Sequence, residues 1–210
     1  MAPDELSVFF FVIFGALLLL IVMLKLTQPG YISELYSALW NPNLTQHLQE
    51  EGKLGLKFFQ LPADILFVSG ISFFGMLWLD TYTLNGFLNL FLLTGSFYFL
   101  QIVAVKVFSR LFFGSNTRGG HESEMINFNR SLGVIMVPLM FIAFYATIPY
   151  PGVVLEIFKW FLITFAAVRF IRIMLTLRSE MHHGAFYIFL YLCALEISPT
   201  FLFIRAILLP

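Results

Sequence analysis

Glu196 stands near the middle of a long apolar run covering residues 185–208. If that run is a helix entering the membrane near Gly184, a rise of 1.5 Å per residue puts the carboxyl about 18 Å deep. An acid at that depth costs on the order of 3 kcal/mol unless it is protonated or paired. Cys193 and Thr200 fall on the same helical face, at i−3 and i+4, so that face looks inward. Pro199 cannot donate a backbone hydrogen bond and kinks the helix beside the acid. Arg169 and Arg172 share one face of the preceding apolar run and are the candidate partners, Arg169 being the nearer in depth. Asp64, just inside an earlier run, competes with Glu196 for them, and Asp64, Val68, Ile71 and Gly75 share one helical face. Such a set serves either as a polar path for a proton or ion, or as a buried ion-pair network that holds helix register.

Other polar groups lie along the runs. Asn85, Asn89 and Ser96 form one helical stripe, the kind that bonds across to a neighbouring helix. Asn127, Asn129 and Arg130 open another run, followed by Ser131 and Gly133. They either line a cytoplasmic mouth or act as caps and interfacial anchors. The four histidines, His47, His121, His182 and His183, all fall in polar segments, which disfavours haem ligation within a span. His121-Glu122 lacks the second histidine of a metalloprotease helix, and no P-loop or dinucleotide glycine pattern is present. Cys193 is the single cysteine, so there is no disulfide framework. No catalytic set, metal site or cofactor is expected.

These residues must be positioned by membrane-spanning helices. The chain is 60% apolar and 11% charged, with mean hydropathy +0.88. A soluble domain of 210 residues has nowhere to bury so much apolar surface. Apolar runs cover residues 6–26, 61–79, 85–105, 131–148, 153–172 and 185–208, each about long enough to cross the hydrocarbon as a helix. Their apolarity is continuous rather than alternating, which excludes barrel strands. The expected fold is all-α: one polytopic domain over residues 1–210, a bundle of about six transmembrane helices with a short cytoplasmic amphipathic helix.

Charge sets the orientation. Ten of the twelve Lys and Arg residues fall on one side of this plan, and only Lys159 and Arg205 fall toward the other. Basic flanks stay cytoplasmic, so both termini are expected outside. Asp4 and Glu5 precede the first run and no small-residue cleavage site follows it, so it reads as a span rather than a signal peptide. The net charge of zero argues against nucleic acid as a partner.

Residues 27–60 form the longest polar stretch. Within it Ile32, Leu35, Tyr36, Leu39 and Trp40 recur at helical spacing, and Asn41-Pro42-Asn43 ends the helix. Its apolar face is expected to lie outside the bundle, on lipid or on a partner's helix.

Two stretches resemble a known family. Asn127-Phe128-Asn129-Arg130 with Gly133 and Pro138 is one. The more specific is the run from Tyr187 through Tyr191, Cys193 and Glu196 to Pro199, with Ser198 where an apolar residue is expected. Together they resemble the integral membrane proteins of Bacteroidota described as domain of unknown function 4271, over nearly the whole chain. The resemblance implies a bacterial inner membrane and supplies no activity. Two functional readings follow. One is a non-enzymatic subunit or assembly factor of an inner-membrane complex, with the lipid bilayer and a membrane protein as partners. The other is a small transporter or ion conductor using Glu196 with Arg169 or Asp64.

Overall fold

A computed structural model describes residues 3–40, 56–113, 120–145 and 151–180. Among them the structure is entirely helical: α1 (Pro3–Thr27), α2 (Tyr31–Trp40), α3 (Leu56–Trp78), α4 (Leu84–Phe113), α5 (Gly120–Tyr145) and α6 (Pro151–Glu180). Four stretches of the described residues are long and apolar enough to cross a membrane: Val8–Thr27, Gln60–Trp78, Leu84–Val107 and Met125–Tyr145. The helix α6 is equally long, with Glu156, Lys159, Arg169 and Arg172 distributed along it. The sixth apolar run lies outside the described residues.

The breaks between helices follow from local chemistry. Pro29 excludes the helical conformation at Gln28, and α1 closes with Thr27 Oγ1 donating to the Met23 carbonyl at 2.7 Å. The turn after α3 places Asp80 at φ 52°, a left-handed conformation that aspartate tolerates. Thr83 caps α4, its Oγ1 accepting from the Gly86 N–H at 3.0 Å.

The centre of the molecule is α3, packed chiefly on α5 and then on α4, with α1, α2 and α6 gathered around α5. Small residues let α3 and α5 approach closely. A Cβ on Gly133 would meet the Leu66 carbonyl carbon at 2.8 Å, and one on Gly70 would meet Met136 Cβ at 2.9 Å. Without a hydrophobic force between helices in lipid, such close packing supplies much of the association. One end of the bundle is filled by rings. Phe14 stacks on Phe73 at 4.1 Å, and Phe10, Phe87 and Phe144 close around them.

Two expectations about faces are corrected. The apolar face of α2 is not left outside the bundle: Tyr31 and Leu35 are buried in the chain's own core, Leu35 completely. Among the described elements, α2 packs on α5 and on α1. The stripe Asn85, Asn89, Ser96 does not bond inward. All three are exposed, while the inward side of α4 carries Phe87, Leu90, Thr94, Tyr98 and Val105.

Candidate functional site: an ion pair between the central helices

Four consecutive side chains of α5 organise the site. Successive residues on a helix point about 100° apart, so neighbours in sequence reach different helices. Phe128 packs against Phe165 of α6 at 5.1 Å, and the Arg172 guanidinium lies 5.5 Å over the same Phe128 ring. Asn129 accepts a hydrogen bond on Oδ1 from Arg169 Nη1 at 2.6 Å. Arg130 reaches the other way, to α3. Ser131 Oγ bonds the Asn127 carbonyl at 2.8 Å and the Leu35 carbonyl of α2 at 3.3 Å. The Asn-Phe-Asn-Arg-Ser run is thus the hub on which α2, α3 and α6 converge.

The strongest contact is Arg130 with Asp64. Nε donates to Oδ1 at 2.8 Å and Nη2 to Oδ2 at 3.0 Å, a bidentate fork with both carboxylate oxygens engaged. Tyr98 of α4 donates its hydroxyl to Oδ1 at 2.8 Å. Arg130 Nη2 also reaches Gln60 Oε1 at 3.5 Å. The arginine side chain is 9% exposed and the aspartate 25%, so the pair is shielded without being sealed. Tyr31, at the start of α2, lies in the field of the same two charges. Burial holds its phenol above the ordinary value, and Arg130 partly opposes this, so Tyr31 stays a neutral hydroxyl.

Beside the pair, a cleft of about 150 Å³ opens between α3, α4 and α6. Its walls are largely apolar, Phe67 and Ile71 among them, with Thr94, Tyr98, Gln101 and Arg169 as its polar groups. Among the described residues no three His, Cys, Asp or Glu side chains lie together as a metal site.

The residues picked out by sequence fall into three groups. Asp64, Arg130, Asn129, Arg169 and Arg172 are brought into one region, although Asp64 takes Arg130 as its partner. Arg130 and Asn129 are buried between helices instead of lining an open mouth, because each has a neighbouring helix to bond. Ile32 and Tyr36 pack against the core that holds Leu35. Glu196, Tyr191 and Cys193 lie outside the described residues, as do the side chains of Leu39 and Trp40. Sequence reasoning missed Tyr98, Gln60 and the Asp64–Arg130 pairing. The available signal was depth: Asp64 and Arg130 each stand four or five residues inside the same-side end of their apolar stretch.

Fold and site together define a helical membrane protein whose central helices are cross-linked by a partly buried ion pair. More particularly, the chain belongs to the family described as a domain of unknown function (DUF4271), whose model matches residues 10–207. Comparison with curated proteins and with solved structures returned no match.

Proposed function

We propose that this protein is a non-enzymatic subunit or assembly factor of a bacterial inner-membrane complex, multi-pass, with both termini periplasmic. The observation that carries the reading is the engagement of the Asp64 carboxylate, with both oxygens held by Arg130 and Oδ1 also held by Tyr98. A carrier group must exchange its proton or ion during a cycle. Here that exchange would first have to break a bidentate fork and strand a buried guanidinium, which costs about 3–5 kcal/mol. The arrangement is suited to bracing three helices in one register. The cleft beside Arg169 is the feature that a transporter reading would use.

Purification of the tagged full-length chain from native membranes in mild detergent, followed by mass spectrometry, tests the proposal. A stoichiometric membrane-protein partner is the expected result. Proton or solute movement by the protein alone in liposomes, abolished by Glu196→Gln or Asp64→Asn, would replace this reading with the transporter.

A further inference from the structure

Lys159 ties α6 to the end of α3. Its Nζ lies 6.0 Å from the centroid of the Trp78 ring and 6.0 Å from that of Trp160. Glu156 accepts from the same ammonium on both carboxylate oxygens, at 2.9 and 2.8 Å. The ion pair stands open at the surface, the lysine side chain 34% and the glutamate 57% exposed. Trp78 and Trp160 are exposed as well, and so is Tyr82 in the turn that follows α3. Exposed charges are too costly to stand in hydrocarbon. Indole, phenol and ammonium groups together are instead what gathers at a membrane–water boundary. Trp78 is also the last residue of the apolar stretch Gln60–Trp78, so a different helix fixes its depth.

The depth of Lys159 then sets the register of α6. The apolar run legible in the sequence, 153–172, would put Lys159 six residues, about 9 Å, inside the hydrocarbon. In the structure the helix continues to Glu180, which lets it stand further outward at its start. From Lys159 to Arg178 is about 28 Å along the axis, close to the hydrocarbon thickness. The residues between them, 160–177, carry two charges, Arg169 and Arg172. Both are met by α5: Asn129 accepts from Arg169, and Phe128 lies under Arg172. In this register every charge of α6 has a place, at or beyond a boundary or against a neighbouring helix.

We infer that Trp78, Lys159 and Trp160 form one contact with phospholipid headgroups, and that α6 crosses the bilayer from this contact, over residues 160–177. The inference rests on α3 crossing the membrane. The ammonium is placed to meet headgroup phosphate, and the two indoles lie with their apolar bodies toward the acyl chains and their N–H groups within reach of polar acceptors. The two turns of α6 before Lys159 pass through the headgroup layer. The span is thereby moved about six residues along the chain from the apolar run that sequence alone marks.

Two measurements on the full-length chain test this. Ile157 and Leu175 are 63% and 60% exposed, and the two registers exchange their surroundings. Ile157→Cys and Leu175→Cys, each in a Cys193→Ala background, are treated with an impermeant thiol reagent in native membranes opened to it on both faces. Position 157 should react several-fold faster than position 175. A ratio near one, or one in favour of 175, would overturn the register. Separately, chains that keep only Trp78 or only Trp160, the other tryptophans replaced by Phe, go into phosphatidylcholine vesicles brominated either near the headgroup or at mid-chain. Both tryptophans should be quenched more strongly by the shallow bromines. Stronger mid-chain quenching of Trp160, or none by either lipid, while Trp78 stays shallow, would overturn the headgroup contact and leave α3 standing as a span. Stronger mid-chain quenching of Trp78 would remove the premise and overturn the whole inference.

Discussion

At the residue scale the molecule depends on a few polar contacts placed where water is scarce. Arg130 is the most exacting of them, since its guanidinium is buried and its neutraliser is Asp64 on another helix. Replacing Asp64 by Asn leaves that charge without its counter-ion, and destabilisation of about 3–5 kcal/mol is expected. The double change Asp64→Asn/Arg130→Met should recover much of the loss, because both charges are then gone. Thermal unfolding of the three variants in detergent, read as a cycle, checks this, and simple additivity would refute the coupling. Tyr98→Phe removes one hydrogen bond to a charged acceptor and is expected to cost about 1.5–3 kcal/mol on the same assay.

The closeness of α3 and α5 dominates at the scale of elements. Gly133 has no space for a methyl group, because the obstructing atoms belong to the backbone of Leu66 and Phe67 and cannot rotate away. Gly133→Ala should therefore separate the two helices and lower stability by about 1–3 kcal/mol. Gly15→Ala is the matched control, since a Cβ there meets nothing within 4 Å. It should be neutral or raise stability by up to about 1 kcal/mol through helix propensity. Comparable melting shifts for the two would show that the contact is unimportant. The helix α2 makes the complementary case. Leu35 is fully buried and its carbonyl receives Ser131, so α2 is a part of the bundle. Leu35→Asp is expected to cut accumulation in the membrane sharply, whereas Ser33→Asp, on the exposed side of α2, should leave it unchanged. Equal accumulation of the two variants would place Leu35 outside the core.

Orientation belongs to the whole molecule. The helices extend past their apolar runs mainly at the ends expected to be cytoplasmic, where Lys106 and Arg110 lie on the last turns of α4 and Arg178 on those of α6. With basic residues gathered there, a cysteine at position 4 in a Cys193→Ala background should react with an impermeant reagent in intact spheroplasts. A cysteine at position 118 should stay protected until the membrane is opened. The reverse pattern would invert the topology.

Sequence alone determined the class of this protein, because length and continuous apolarity are local properties that one helix can satisfy by itself. Helix positions for the first five runs were legible for the same reason, and so was the family, through the Asn127–Arg130 stretch and the run ending at Pro199. Which polar residues meet was not. Arg169 and Arg172 were the obvious cations for Asp64, yet Arg130 reached it, because a fork between two helices needs equal depth and facing azimuths. Azimuth depends on how neighbours pack. In an apolar helix the hydrophobic pattern is nearly uniform around the axis, so it does not mark the inward side. That is why Asn85, Asn89 and Ser96 could be recognised as a stripe while their direction, outward, was decided only by the tertiary structure. The same holds for α2, whose amphipathic face was legible but whose partner, the chain's own α5, was not.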